Sequence, residues 1–288
     1  MTRFFLILIL GCFISFPLCG QGLDSLGNTA TQLINSKGKL NIGGYAGIHY
    51  NQPIDDQIRQ NGNLDVHRLV MLFGYNFDSK LSFITEIEFE HVKEVYVEQA
   101  FVNYRITPGI NFRGGLLLIP RGIINEFHEP TTFFGVERPT LDKYIVPTTW
   151  SEIGLGLQGT IIDASLNYQL YMVNGFLSYD GEARLSGASG LRGGRQKGAE
   201  AIVTSPNFTG KISYFGLRGL NIGFSFYAGN SQTSLYDELD VSDQLALAQA
   251  DSSRVNTSML GLDLRYTYKA LKVRGPVSYT HLRAHETA

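Results

Sequence analysis

The feature that most constrains this chain is a two-residue alternation, repeated in runs of about ten residues. Leu81, Phe83, Thr85, Ile87 and Phe89 alternate with Ser82, Glu86, Glu88 and Glu90. Leu260, Leu262, Leu264, Tyr266 and Tyr268 alternate with Asp263, Arg265, Thr267 and Lys269. Side chains point to opposite faces along a strand, so a period of two marks a strand with one apolar and one polar face. The pattern places strands at about 40–51, 66–77, 81–91, 95–106, 110–119, 152–162, 165–173, 220–228 and 259–269. A weaker one falls within 200–215.

The connections narrow the choice further. Links at Asp78-Ser79, 107–109, near Asp163 and 216–219 are tight. Links at 52–65, 120–150, 174–198 and 229–258 are long, and only 92–94 breaks the alternation of short and long. A meander with short turns at one end and long loops at the other is the arrangement of an outer-membrane barrel. The expected fold is therefore all-β, a transmembrane antiparallel up-and-down β-barrel with about ten strands present and more in a full-length protein.

Compartment signals agree. Residues 1–20 read as a secretory signal, with Arg3, an apolar run from Phe4 to Leu18, and a small residue, Gly20, before a cut at Gln21. A lipoprotein reading on Ile9-Leu10-Gly11-Cys12 leaves a very short apolar segment. Both cysteines, Cys12 and Cys19, lie in that signal. The remainder has no thiol for a disulfide, a zinc site or a nucleophile. Residues 21–37 form a polar leader. No later apolar run reaches about 18 residues, so a membrane crossing has to use strands. The net charge of −2 gives no reason to expect nucleic acid as a partner.

In a membrane barrel the charged face looks inward, because lipid accepts charge only at high cost. Arg68, Glu86, Glu88, Arg105, Arg113, Arg265 and Lys269 are the expected pore-lining residues. Cations and carboxylates share these faces, which suits a hydrated lumen as well as an anion path.

Residues 120–150 are long for a connection and carry Pro120, Pro130, Pro139 and Pro147. Long structureless loops inside a regular fold are usually functional. This one is expected to fold into the barrel or across its mouth. Its charged residues Arg121, Glu126, His128, Glu129, Glu137, Arg138, Asp142 and Lys143 are the candidate constriction residues. His128 with Glu126 and Glu129 lacks a second histidine at a strand or helix interval, so no metal site is assigned. Gly154, Gly156 and Gly159 match G-x-G-x-x-G but without a following helix. They read instead as a smooth patch against which the long loop packs. No G-x-S-x-G or H-E-x-x-H motif appears, and no cofactor is expected.

The segments GGLLLIPRGIINEFHEP (114–130), FFGVERP (133–139), IVPTTWSEIGLGLQG (145–159) and YQLYMVNGF (168–176) resemble the phosphate-selective porin O and P family, especially its Bacteroidetes-type members. The likeness extends more loosely over 40–275. It implies an outer-membrane barrel of about sixteen strands, often a homotrimer, with inward cations able to form an anion ladder. The function expected is passive diffusion of small hydrophilic solutes, anions such as phosphate among the candidates, through the bacterial outer membrane. The alternatives are a barrel enzyme of lipase or protease type and a closed structural or adhesive barrel.

Residues 276–288 (PVSYTHLRAHETA) resemble the in-frame translation of a transposase adapter used in sequencing libraries. The reading that follows is an incomplete barrel over 38–275, ending without the terminal aromatic residue common in such barrels.

Overall fold

The structure is a computed structural model and describes residues 33–34, 36, 38–123, 125–126, 148–187 and 189–284. Its main element is an antiparallel sheet in which sequence neighbours are spatial neighbours. The wall strands are β1 (Leu40–Asn51), β2 (Asn63–Asn76), β3 (Leu81–Glu90), β4 (Glu94–Thr107), β5 (Ile110–Leu118), β6 (Ser151–Ile161) and β7 (Leu166–Val173). They continue with β10 (Asn207–Tyr214), β11 (Leu220–Asn230), β13 (Val255–Tyr268) and β14 (Leu271–Ala284). Three short strands, β8 (Leu177–Asp180), β9 (Glu182–Ala183) and β12 (Gln232–Thr233), form a second sheet in the order β12-β8-β9.

The ten expected strands are all present, and β1 has the expected bounds. The 11-stranded sheet adds β14, which was not expected. β14 alternates Val273, Val277 and Tyr279 with Arg274, Ser278 and Thr280, and pairs with β13 along its whole length. This pairing concerns shape and leaves the origin of residues 276–288 untouched. The long links are also more ordered than expected. The link 174–206 contains β8 and β9. The link 231–254 contains β12 and one helix, α1 (Gln244–Ser252). Helix α1 starts where the Asp243 carboxylate accepts hydrogen bonds from Leu245 and Ala246 N–H, the usual N-cap device. Among the described residues, no helix is long and apolar enough to cross a membrane, which says nothing about strands.

The sheet has to curl. Arg121, three residues past β5, hydrogen-bonds Leu260 O on β13 at 2.7 Å. In sheet order β13 is five strands from β5. At about 4.8 Å per strand a flat sheet would separate them by roughly 24 Å. Three extended residues plus an arginine side chain span less than that. The wall therefore bends around its own interior. Among the described residues, the outer edges of β1 and β14 have no strand partner. In an eleven-strand meander these two strands run in the same direction. Antiparallel closure of a single-chain barrel uses an even strand number.

The β3–β4 turn is unusual. Lys93 N–H closes it on Glu90 O at 3.1 Å. Both central residues have positive φ, His91 at 51° and Val92 at 66°. Such turns favour Asn-Gly, and a β-branched valine there is strained.

The glycines of β6 allow a close approach of the neighbouring strand. A Cβ on Gly156 would lie 2.0 Å from Leu170 O and 2.8 Å from the Tyr171 ring. One on Gly154 would lie 2.4 Å from Met172 O and 2.7 Å from Val173 Cγ1. The space is taken by the neighbouring β7 and its inward side chains. The long loop, the expected packing partner, lies mostly outside the described residues.

Candidate pore interior

The two faces of the wall differ sharply. One face carries Leu69, Met71, Val102, Ile153, Leu155, Leu157, Leu170, Met172, Phe208, Phe224, Leu260 and Leu262, all exposed large hydrophobics. The other face carries buried Arg68, Glu86, Glu88, Gln99, Asn103, Arg113, Lys211, Ser225 and Asp263. It also carries buried apolar groups, among them Val70, Leu72, Ile84, Phe101, Leu117, Tyr171 and Tyr227. A soluble domain buries its apolar face and exposes its charges. This sheet exposes a continuous apolar face and turns its charges toward the interior.

Most of the expected lining residues sit on this inner face. Arg68 meets Glu88 at 3.1 Å and Glu90 at 3.4 Å. Glu86 accepts a hydrogen bond from Gln99 at 2.6 Å. Arg113 donates to Asn103 Oδ1 at 3.2 Å and lies 4.6 Å from the centre of the Phe101 ring. Arg265 donates to Asn221 Oδ1 at 3.3 Å. Arg105 has inward parity but is exposed at the short-turn end. There an open cavity of about 570 Å³ is lined in part by Lys39, Lys80, Asn103 and Arg105. Lys269 lies in the turn after β13, at φ 52°, so it is not on the wall. Strand β13 ends at Tyr268, before the alternation in the sequence does.

The start of the long loop enters the interior. Ile119 and Ile123 are buried, as are Arg121 and Asn125. Arg121 donates to Leu260 O, and also to Ser278 Oγ at 2.6 Å and Tyr279 O at 3.4 Å. The last two acceptors lie on β14, the neighbour of β13. Burial pushes the Arg121 guanidinium down to about 10, leaving it charged at neutral pH. Glu126 accepts from Lys211 at 2.9 Å and from Gln169. Lys211 also donates to Gly122 O at 2.7 Å and lies 3.2 Å from Asp263. Burial pushes the Glu126 carboxyl up, but the Lys211 charge and the hydrogen bonds from Lys211 and Gln169 outweigh it. Its net displacement is downward, so it is ionised at neutral pH. The candidates His128, Glu129, Glu137, Arg138, Asp142 and Lys143 lie outside the described residues.

The two ends of the loop are joined. Asn125 donates to Ile119 O at 2.7 Å and Trp150 O at 2.9 Å, and accepts from Trp150 N–H at 2.8 Å. Trp150 is fully buried, with its ring 4.5 Å from Phe176 and 4.8 Å from Tyr227. Its indole N–H donates to Glu152 at 2.8 Å, and the same carboxylate accepts from Gly175 N–H at 2.8 Å. From the next long link, Arg195 donates to Thr148 O at 2.6 Å and Thr149 O at 3.0 Å. The mouth is therefore built from two connections that share hydrogen bonds.

Sequence reasoning missed Lys211, Glu98 and Glu152 as interior groups. Lys211 sat in the weakest strand, yet Thr209, Lys211 and Ser213 alternate there with Phe208 and Ile212. Glu98 is inside because a bulge between β3 and β4 puts both Glu98 and Gln99 on the buried side.

Fold and interior together define a class: an antiparallel up-and-down β-barrel wall with a polar interior and an apolar exterior. No family model matches the chain. An uncharacterized protein of Aquifex aeolicus (strain VF5) is 41% identical over 229 residues, which is 76% of this chain and 51% of that protein. The chain thus spans about half the length of the curated relative it matches. Among solved structures, Salmonella typhi OmpF in complex with daunomycin aligns at TM-score 0.48 and 13% identity, over 85% of this chain and 66% of that one. The outer membrane channel DcaP of Acinetobacter baumannii aligns at TM-score 0.48 and 11% identity, over 85% and 65%.

Proposed function

We propose that the chain forms the wall and inward loop of a porin in the bacterial outer membrane, passing small hydrophilic solutes by diffusion. One observation carries this reading: the wall exposes its leucines and phenylalanines while its arginines, lysine and carboxylates line the interior. Lipid is the solvent that rewards the first arrangement, and a hydrated path rewards the second. Conduction through such a path needs no chemistry, because bore and lining charge do the sorting. The full barrel contains further strands, consistent with the unpaired edges of β1 and β14 and the greater length of the relative. A homotrimer is the assembly suggested by the resemblance to the phosphate-selective porin O and P family.

Anion preference, phosphate included, is the finer form of the proposal. Lys39, Lys80 and Arg105 around the short-turn vestibule favour it. Glu86, Glu88 and Asp263 in the interior oppose it. Planar-bilayer recording of the full-length protein tests both levels. Stepwise channel currents are expected. Folded protein that inserts without conducting would reject the porin reading. Reversal potential in a salt gradient then sorts anion from cation preference.

A further inference from the structure

Three imidazoles and a carboxylate meet on the inner face at the long-loop end of β1, β2 and β3. His49 sits opposite Asp65 in the β1–β2 register. The His49 ring stacks on His67 with centroids 4.3 Å apart and planes 14° apart. His67 meets His91 edge-on at 5.4 Å. Asp65 Oδ2 lies 2.7 Å from His91 Nδ1 and 3.5 Å from His67 Nδ1. The donor atoms of Asp65, His67 and His91 all lie within 4.8 Å of one another.

We propose that this cluster is a binding site for a divalent transition-metal ion of the zinc type, held at the barrel mouth. Several observations converge. Imidazole with one carboxylate is a donor set for zinc, copper or nickel, whereas calcium and magnesium take oxygen ligands. His49 Nδ1 is buried and has no hydrogen-bond partner among the described residues. A tetrahedral zinc site has donor–donor edges of roughly 3.3 Å.

Neighbouring charge does not oppose the ion. Arg68, the next inward residue, is held by Glu88 and Glu90. His91 and Asp65 keep partial exposure, 49% and 25%, so an ion entering from the mouth can reach them. His91 owes its position to the positive-φ turn with Val92. Strain of that kind is concentrated where a side chain has to be held in a particular place.

Titration calorimetry of the full chain folded in detergent micelles tests the site, with zinc chloride alone as probe. At about pH 7.5 one zinc ion per chain is expected. Magnesium is expected to give no heat. His67→Ala and His91→Ala are each expected to weaken binding at least about tenfold. Zinc should also protect histidines of the unsubstituted chain from carbethoxylation, a readout that does not depend on the variants folding. Absence of protection, or affinity unchanged by both substitutions, overturns the proposal. Neither readout uses conductance, so the result stands apart from the porin reading.

Discussion

Lys211 Nζ lies 2.9 Å from Glu126 Oε2, joining the wall of the barrel to a loop residue 85 positions earlier in the chain. The ammonium also faces Asp263 at 3.2 Å. One lysine thus fixes the inward loop against two strands. Glu126→Gln keeps the shape and removes the charge. It should destabilise the folded state by about 1–3 kcal/mol, less than a fully orphaned charge would, because Asp263 remains. A double-mutant cycle with Lys211→Met in a chemical denaturation assay measures the coupling. Additive single effects would count against the tie.

The same pair sets an acid response. The Glu126 carboxyl is lowered in the folded state from its ordinary value of 4.5. A group lowered on folding contributes stability that is fully present above its unfolded value. That contribution is lost as pH falls through the folded value. The stability of the unsubstituted protein should therefore fall below about pH 4.5, and the Glu126→Gln profile should be flatter there. Thermal melts across that range are the check. Parallel profiles would show that Glu126 is not the group responsible.

Trp150 is the single tryptophan of the chain and is fully buried against Phe176 and Tyr227. Its emission should be blue-shifted in the folded protein and move to the red on unfolding. Trp150→Ala should cost about 3–5 kcal/mol, from lost burial and the cavity left behind. Denaturation followed by gel mobility gives the cost without relying on the fluorophore.

The orientation of the wall has its own test. Leu170 is on the apolar outer face and Gln169 beside it is on the inner face. Leu170→Arg should cost about 2–4 kcal/mol if it lies near the bilayer midplane. Gln169→Lys places its charge on the inner face beside the Glu126 carboxylate and should cost less. Refolding into lipid vesicles under urea compares them. Equal costs would contradict the inside–outside assignment.

What the sequence made legible follows from how local each feature is. The bounds of β1 could be read because period two is a property of one strand. The β10 strand was vague because Pro206 and the polar run before it blur the alternation, and Lys211 was lost with it. Inward parity of Arg68, Glu86 and Arg113 needed only the pattern. The meeting of His49, His67 and His91 needed the cross-strand register and the irregularity between Gly47 and Ile48. The bond from Asn125 to Trp150 needed the loop ends to be brought together, which no spacing reveals. Three histidines near corresponding ends of consecutive strands were the one linear hint of their cluster.

The bond from Arg121 to Leu260 acts as a chord drawn across an arc. Fixing a chord fixes the radius of the arc it subtends. The width of the passage and the bend of the wall then become one mechanical variable. A substitution on the lipid-facing side that flattens β6 to β11 would stretch this chord and change the bore of the proposed pore, without touching a lining residue.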